Sequence, residues 1–232
     1  MDGGALIIYF VNESSLSERD ARRVAGACDY QARAHFQPAW NIGVSCAYAG
    51  PASTAVIPKG SAIMHLLDTA DQPGALGYHD EDGNQVPFGR VFVQTTRQDG
   101  ERVTAVASHE TLELAVNPHI SYTAPTGDLS RLYALEVGDP VQGNDYAVGV
   151  AGTNLAVADF VLPSYFDPNT PASQPTSYRG SVKGPFSVAP QGYYSYIDLS
   201  NVQAGWQQQL GQDRKSAPKD DRLDRLNGRF QA

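Results

Sequence analysis

The sequence predicts a single α+β domain over residues 1–210, closed by a long irregular wrapping segment and followed by a charged tail at 211–232. Three observations carry this reading. Short strand-like runs accompany only two helical patterns, and six prolines (163, 168, 171, 175, 185 and 190) crowd one segment. At 232 residues the chain is also long enough to bury a sizeable core and short enough to be one domain.

Ala5-Leu-Ile-Ile-Tyr-Phe-Val11 is rich in β-formers and bounded by Gly3-Gly4 and Asn12-Glu13, so it reads as a buried strand. A helix follows over about 16–36. Ser15-Leu-Ser-Glu18 has the capping-box spacing, and Ala21, Val24, Ala25, Cys28, Ala32, His35 and Phe36 recur on one stripe. Pro38 is expected to stop it. Val44–Ala49 and Ser61–Leu67 read as strands, Asp68–Gly89 as a loop, and Arg90–Thr96 as an alternating strand. A second helix is expected from about Thr104 to Val116, ended by Asn117-Pro118. Tyr133–Val137, Tyr146–Val150, Leu155–Val161 and Gly192–Ile197 are further strand candidates. The proline-rich stretch 163–190 leaves little room for regular structure and is expected to wrap the surface.

Seventeen basic against 25 acidic residues give a formal net charge of -8. The last 22 residues carry six basic and four acidic side chains, so residues 1–210 carry -10. An acidic body argues against nucleic acid, which is held by clustered Lys and Arg. The longest apolar run, Ala5–Val11, is far short of the ~20 residues of a membrane span, and no basic leader precedes it. A protein with neither a membrane partner nor a nucleic-acid partner is expected, cytoplasmic or virion-associated. Cys28 and Cys46 allow one bridge at most and exclude CxxC metal or redox chemistry.

The chemistry concentrates in Ser108-His-Glu-Thr-Leu-Glu-Leu-Ala-Val-Asn-Pro-His119. On a helix His109 and Glu113 stand one turn apart on one face, so both reach one metal ion. Glu110 flanks that face, where a general base acting on metal-bound water belongs. This is the H-E-x-x-H arrangement with its second histidine replaced by Glu. The competing reading is a solvated helix face. Arg90–Thr96, just before the helix, is the candidate substrate-pairing edge. For a third ligand Glu136 ranks first, because it sits in the apolar run Tyr133–Val137, where a buried carboxylate needs a cation or hydrogen bonds. His119 follows, ten residues after His109, and then Asp139 at a turn before Pro140.

Other polar features have plainer readings. His79-Asp-Glu-Asp-Gly-Asn84 bunches three carboxylates but lacks a full calcium loop, so an Asp/Gly turn is favoured over a Ca²⁺ site. Tyr78 and His79 suit either loop anchoring or oxyanion stabilisation. His35 and His65 read as packed, hydrogen-bonded histidines, and Tyr193, Tyr194 and Tyr196 as a half-buried strand or a binding platform.

The stretches Asp71–Asp80, Pro87–Val93, Ser108–Glu113, Tyr133–Pro140 and Asp159–Phe166, in that order, resemble a family of uncharacterised bacterial and phage-encoded zincin-like proteins with an H-E-x-x-E helix. The resemblance spans about residues 5–206. It implies a zincin-like α+β fold: a mixed twisted sheet, a backing helix at roughly 16–36 and an active-site helix across the sheet. It implies a metallopeptidase-type hydrolase holding Zn²⁺ on His109, Glu113 and Glu136, with Glu110 as base and a peptide or protein as substrate. Asn117-Pro118 replaces the family's usual Asp-Pro, and Gly138 stands where Cys is common. The alternative expectation is a phage virion component that keeps the scaffold and docks on neighbouring virion subunits, with little or no catalysis.

Overall fold

A computed structural model describes residues 5–214, which form two compact units. The chain begins in the first unit with β1 (Leu6–Asn12), α1 (Glu18–Gln31), α2 (Gln37–Trp40), β2 (Val44–Pro51), β3 (Ala62–Leu67), β4 (Gly77–Glu81), β5 (Pro87–Phe92), α3 (Val93–Gln98) and α4 (Val103–Val116). It enters the second unit with β6 (Thr123–Pro125) and β7 (Arg131–Ala134). It then returns to the first with β8 (Asp145–Val150) and β9 (Thr153–Ala158), and ends in the second with β10 (Tyr193–Asp198) and β11 (Trp206–Leu210). The protein is therefore α+β, with few helices. No helix among the described residues is long and apolar enough to cross a membrane. Of the charged tail, residues 215–232 lie outside the described residues.

The first unit is built on a five-stranded mixed sheet of order β2-β1-β3-β5-β4. The first four positions run parallel, and β4 pairs antiparallel with β5 at the end of the sheet. Alternation is strict in β3, where Ala62, Met64 and Leu66 are buried and the residues between them are not. Directly opposed residues share a face, so one row runs Phe10, Met64, Gly89, His79 across four strands. α1 packs on β1 and β2, α4 packs on β4 and β5, and the helices touch each other. The β8–β9 hairpin covers both helices, seating Val148 and Val157 on Ala27. Ala158 ties this layer together: its N–H donates to Ser108 Oγ at 2.8 Å, and its carbonyl accepts from Gln31 Nε2 at 2.6 Å.

Several boundaries differ from the sequence expectation for identifiable reasons. The helix cap is Ser17, whose hydroxyl accepts from Asp20 N–H at 3.1 Å. Ser15 instead bonds Asp68 across the fold. Pro38 does not end the helical path. A π-helical turn at Ala32–Phe36 resets the ladder, with Gln37 N–H donating to Ala32, so that Pro38 falls in the first turn of α2, where no N–H is required. The strand expected to reach Thr96 stops at Phe92, because residues 93–98 turn into α3.

The second unit holds a four-stranded antiparallel sheet, β11-β10-β7-β6. Tyr193, Ser195 and Ile197 form the buried face of β10, with Tyr194 and Tyr196 half-buried on the other, as a half-buried strand requires. The Pro-rich stretch is irregular apart from a 3₁₀ turn at Pro163–Phe166. Asp159 anchors it: one carboxylate accepts Ser181 Oγ at 2.6 Å, Phe160 N–H at 2.9 Å and Arg179 N–H at 3.0 Å.

Candidate metal centre

α4 is not a solvated helix. Ten of its 14 residues are buried, including Glu110 and Glu113, because β4, β5, β9 and α1 pack around it. Asn117 caps its end, donating to Glu113 O at 2.7 Å, before Pro118 prevents a further turn. Two side-chain bonds stitch its turns: Ser108 Oγ donates to Ala105 O and Thr111 Oγ1 to Ala107 O.

The i, i+4 spacing delivers what it promised. His109 Nε2 lies 3.2 Å from Glu113 Oε2, with the histidine side chain 11% exposed and the carboxylate fully buried. The fold adds a residue that the sequence suggested only for loop anchoring or oxyanion stabilisation. His79, on β4, places Nδ1 3.6 Å from Glu110 Oε2 and 3.7 Å from Glu113 Oε2. Each of His79, Glu110 and Glu113 offers a ligand atom within 4.8 Å of the others, and all three are buried. Period-two geometry explains the meeting. Gly77, His79 and Glu81 share the face of β4 that looks at α4, and the missing side chain of Gly77 lets the helix close in. A Cβ there would stand 2.8 Å from Val106 Cγ1 and 3.0 Å from Glu110 Cγ.

The donor chemistry suits a divalent cation. In a tetrahedral site with bonds of about 2.0–2.2 Å, neighbouring ligand atoms are spaced about 3.3–3.6 Å apart. The contacts of 3.2, 3.6 and 3.7 Å lie in or within about 0.1 Å of that range, and the two longer ones exceed hydrogen-bond length. Carboxylate oxygens of Glu110 and Glu113 lie within 4.8 Å of each other, an arrangement that a cation between them would stabilise. Glu110 Oε2 is buried and makes no hydrogen bond among the described residues.

His119 Nδ1 pairs with Glu81 Oε2 at 2.8 Å, at the end of β4, and is 41% exposed. Glu136 belongs to the second unit, buried but beyond the end of β7 rather than within a strand. Asp139, also buried there, opens the 3₁₀ turn Asp139–Val141. The expected substrate-pairing strand, β5, is interior to its sheet; the terminal position is taken by β4. Asp82 is a turn former: its carboxylate accepts the N–H groups of Asn84 and Val86. Tyr78, on the opposite face from His79, is a loop anchor, hydrogen-bonded to Asp71 and Arg90. Burial and the Asp71 bond push its phenol up to about 12. His35 Nδ1 bonds Tyr146 Oη at 2.9 Å and His65 Nδ1 bonds Glu13 at 2.5 Å, so both are packed, partnered histidines.

Gly-Tyr-His-Asp-Glu shows no period-two alternation, with its three central residues all buried, so it reads as a strand only once its antiparallel partner is in place. Comparison with known protein families, characterised proteins and solved structures finds no match to this chain.

Proposed function

We propose that this chain is a zinc-dependent hydrolase of the metallopeptidase kind, acting on peptide or protein substrates. The observation that carries the reading is the meeting of His109 Nε2 and Glu113 Oε2 at 3.2 Å on the buried helix α4, with a carboxylate oxygen of Glu110 within 4.8 Å of one of Glu113. Mixed nitrogen and carboxylate donors favour zinc among biological divalent ions. The zincin-like arrangement that the sequence resembles, a mixed sheet crossed by a helix bearing H-E-x-x-E, is consistent with β1–β5 and α4.

When bound, the ion supplies Lewis acidity to a carbonyl and acidifies water at an open position. His109 and Glu113 are the holding residues. Glu136 is the third ligand in this proposal on the sequence argument alone. Glu110, one residue along the helix, accepts the proton of the attacking water and delivers it to the leaving amine, so that one amide bond breaks and one carboxylate and one amine form. Its burial keeps that proton at the site instead of exchanging it with bulk water.

The purified protein should carry zinc, and Glu110→Gln should keep that zinc while losing about 10²-fold or more in cleavage of a denatured protein substrate. A metal-free protein, or Glu113→Ala with unchanged metal content, refutes the reading.

A further inference from the structure

Glu113 Oε2 serves two sets of contacts. In one, His109 Nε2 stands 3.2 Å away. In the other, His79 Nδ1 stands 3.7 Å away and is itself 3.6 Å from Glu110 Oε2. His79, Glu110 and Glu113 form a complete three-ligand group, to which His109 does not belong. We propose that this group is a second cation position, sharing Glu113 with the one served by His109, and that a divalent ion there switches hydrolysis off by occupying Glu110. The ligand class is a first-row divalent ion with affinity for imidazole and carboxylate, zinc first.

Three observations converge on it. The ligand atoms are too far apart to hydrogen-bond to each other and close to the spacing of neighbours around one ion. Glu110 Oε2, on a side chain 7% exposed, has no hydrogen bond among the described residues and points into the group. His79 is fully buried at the end of the Phe10–Met64–Gly89 row, so the sheet fixes the strand that carries it. The functional consequence follows from lone pairs. A carboxylate oxygen bound to a cation cannot accept a proton from water, so filling this position removes the base that the first position needs. The on–off effect rests on the hydrolase reading; the existence of the position does not.

Zinc titration of the full chain tests it, with bound metal measured after equilibrium dialysis and cleavage of a denatured protein followed in parallel. We expect two zinc ions per chain at saturation in the wild type and one in His79→Gln, with circular dichroism confirming that the variant folds. Wild-type cleavage should rise with the first equivalent and fall about 10²-fold with the second, while His79→Gln should show no falling limb. One zinc per chain in both proteins overturns the second position and leaves the hydrolase reading standing. One zinc in the wild type that His79→Gln abolishes also overturns it, because the two positions are then one. Two zinc ions with no cleavage at any loading supports the position and sinks the hydrolase reading instead. If His79→Gln does not fold, the wild-type stoichiometry decides alone: one equivalent at saturation refutes the proposal.

Discussion

Replacing Gly77 by Ala tests the contact that brings the helix to the strand. The backbone there is not in the left-handed region, so glycine is not needed for its conformation. By the unfolded-chain argument alone, the exchange should stabilise by about 0.4–1 kcal/mol. The surroundings reverse the sign. The new Cβ would meet Val106 Cγ1 at 2.8 Å, Arg90 O at 2.9 Å and Glu110 Cγ at 3.0 Å. The carbonyl belongs to β5, directly paired with β4, and cannot rotate away; Val106 is β-branched on a helix and has one good rotamer. Relief therefore requires α4 to move off β4, and overpacking of this kind costs about 2–3 kcal/mol, or roughly 4–12 °C in Tm at this chain length. Gly89 provides the contrast. Its added Cβ would meet only the flexible end of Met64 at close range, Cε at 2.5 Å and Sδ at 2.6 Å, so Gly89→Ala should cost about 1 kcal/mol. Urea unfolding of both variants, with zinc content measured alongside, is the assay. Gly77→Ala should lose both stability and metal, since it displaces Glu110 and its neighbour Glu113. A Gly77→Ala protein as stable as wild type, with its zinc affinity unchanged, would refute the seating of α4 on β4.

Other expectations concern the frame around the site. Ser17→Ala should cost about 1 kcal/mol through the lost cap, and Ser15→Ala less than about 0.5 kcal/mol; the opposite ranking in thermal melts would place the cap at Ser15. Asp159→Ala should destabilise by about 2–3 kcal/mol, since it strands two backbone N–H groups and the Ser181 hydroxyl. Burial raises the Asp159 carboxyl above its ordinary value. The folded protein thus holds that proton more tightly than the unfolded chain, and this group's contribution to stability falls as pH climbs from the ordinary carboxylate value through the raised one. Asp159→Asn should flatten that part of a denaturation-versus-pH curve, and an unchanged curve would contradict the assignment. Burial also pushes the Cys28 thiol up to about 12. At pH 8 its thiolate is then about 10³-fold scarcer than that of an ordinary cysteine, so iodoacetamide should leave Cys28 unmodified until urea is added. Prompt native-state labelling at Cys28, read by peptide mass mapping, would count against its burial.

What the sequence disclosed and what it withheld divide along physical lines. α4 was legible to within a residue because a local breaker, Asn117-Pro118, marks its end and no glycine interrupts it. The pairing of His109 with Glu113 was legible because it depends only on helix pitch. β4 was not. It is five residues long, contains Gly77, Asp80 and Glu81, and becomes a strand through its ladder with β5, a partner separated from it by a tight turn. With β4 unseen, His79 could not be placed beside Glu110. Gly77 and Gly89 were read as loop punctuation, whereas both allow close approach, one of a helix and the other of Met64. The π turn at Ala32–Phe36 was hidden for a similar reason. Pro38 signals a break locally, and only the resulting shift in register shows how the helix survives it.

The order in which the chain visits its two units bears on biosynthesis. α4 is complete in the growing chain at residue 116, yet the hairpin that covers it, with the amide that donates to Ser108 Oγ, is made only at residues 145–158. The 25 residues from Ile120 to Asn144 belong to the other unit and are synthesised in between. During that interval the helix bearing His109, Glu110 and Glu113 is translated but not yet roofed by β9. A released chain truncated between residues 119 and 144 should therefore protect α4 poorly against limited proteolysis, with protection arriving as a step once the chain extends to residue 158. Neither unit is a continuous stretch of sequence, so the site cannot be isolated by cutting the chain at a single place.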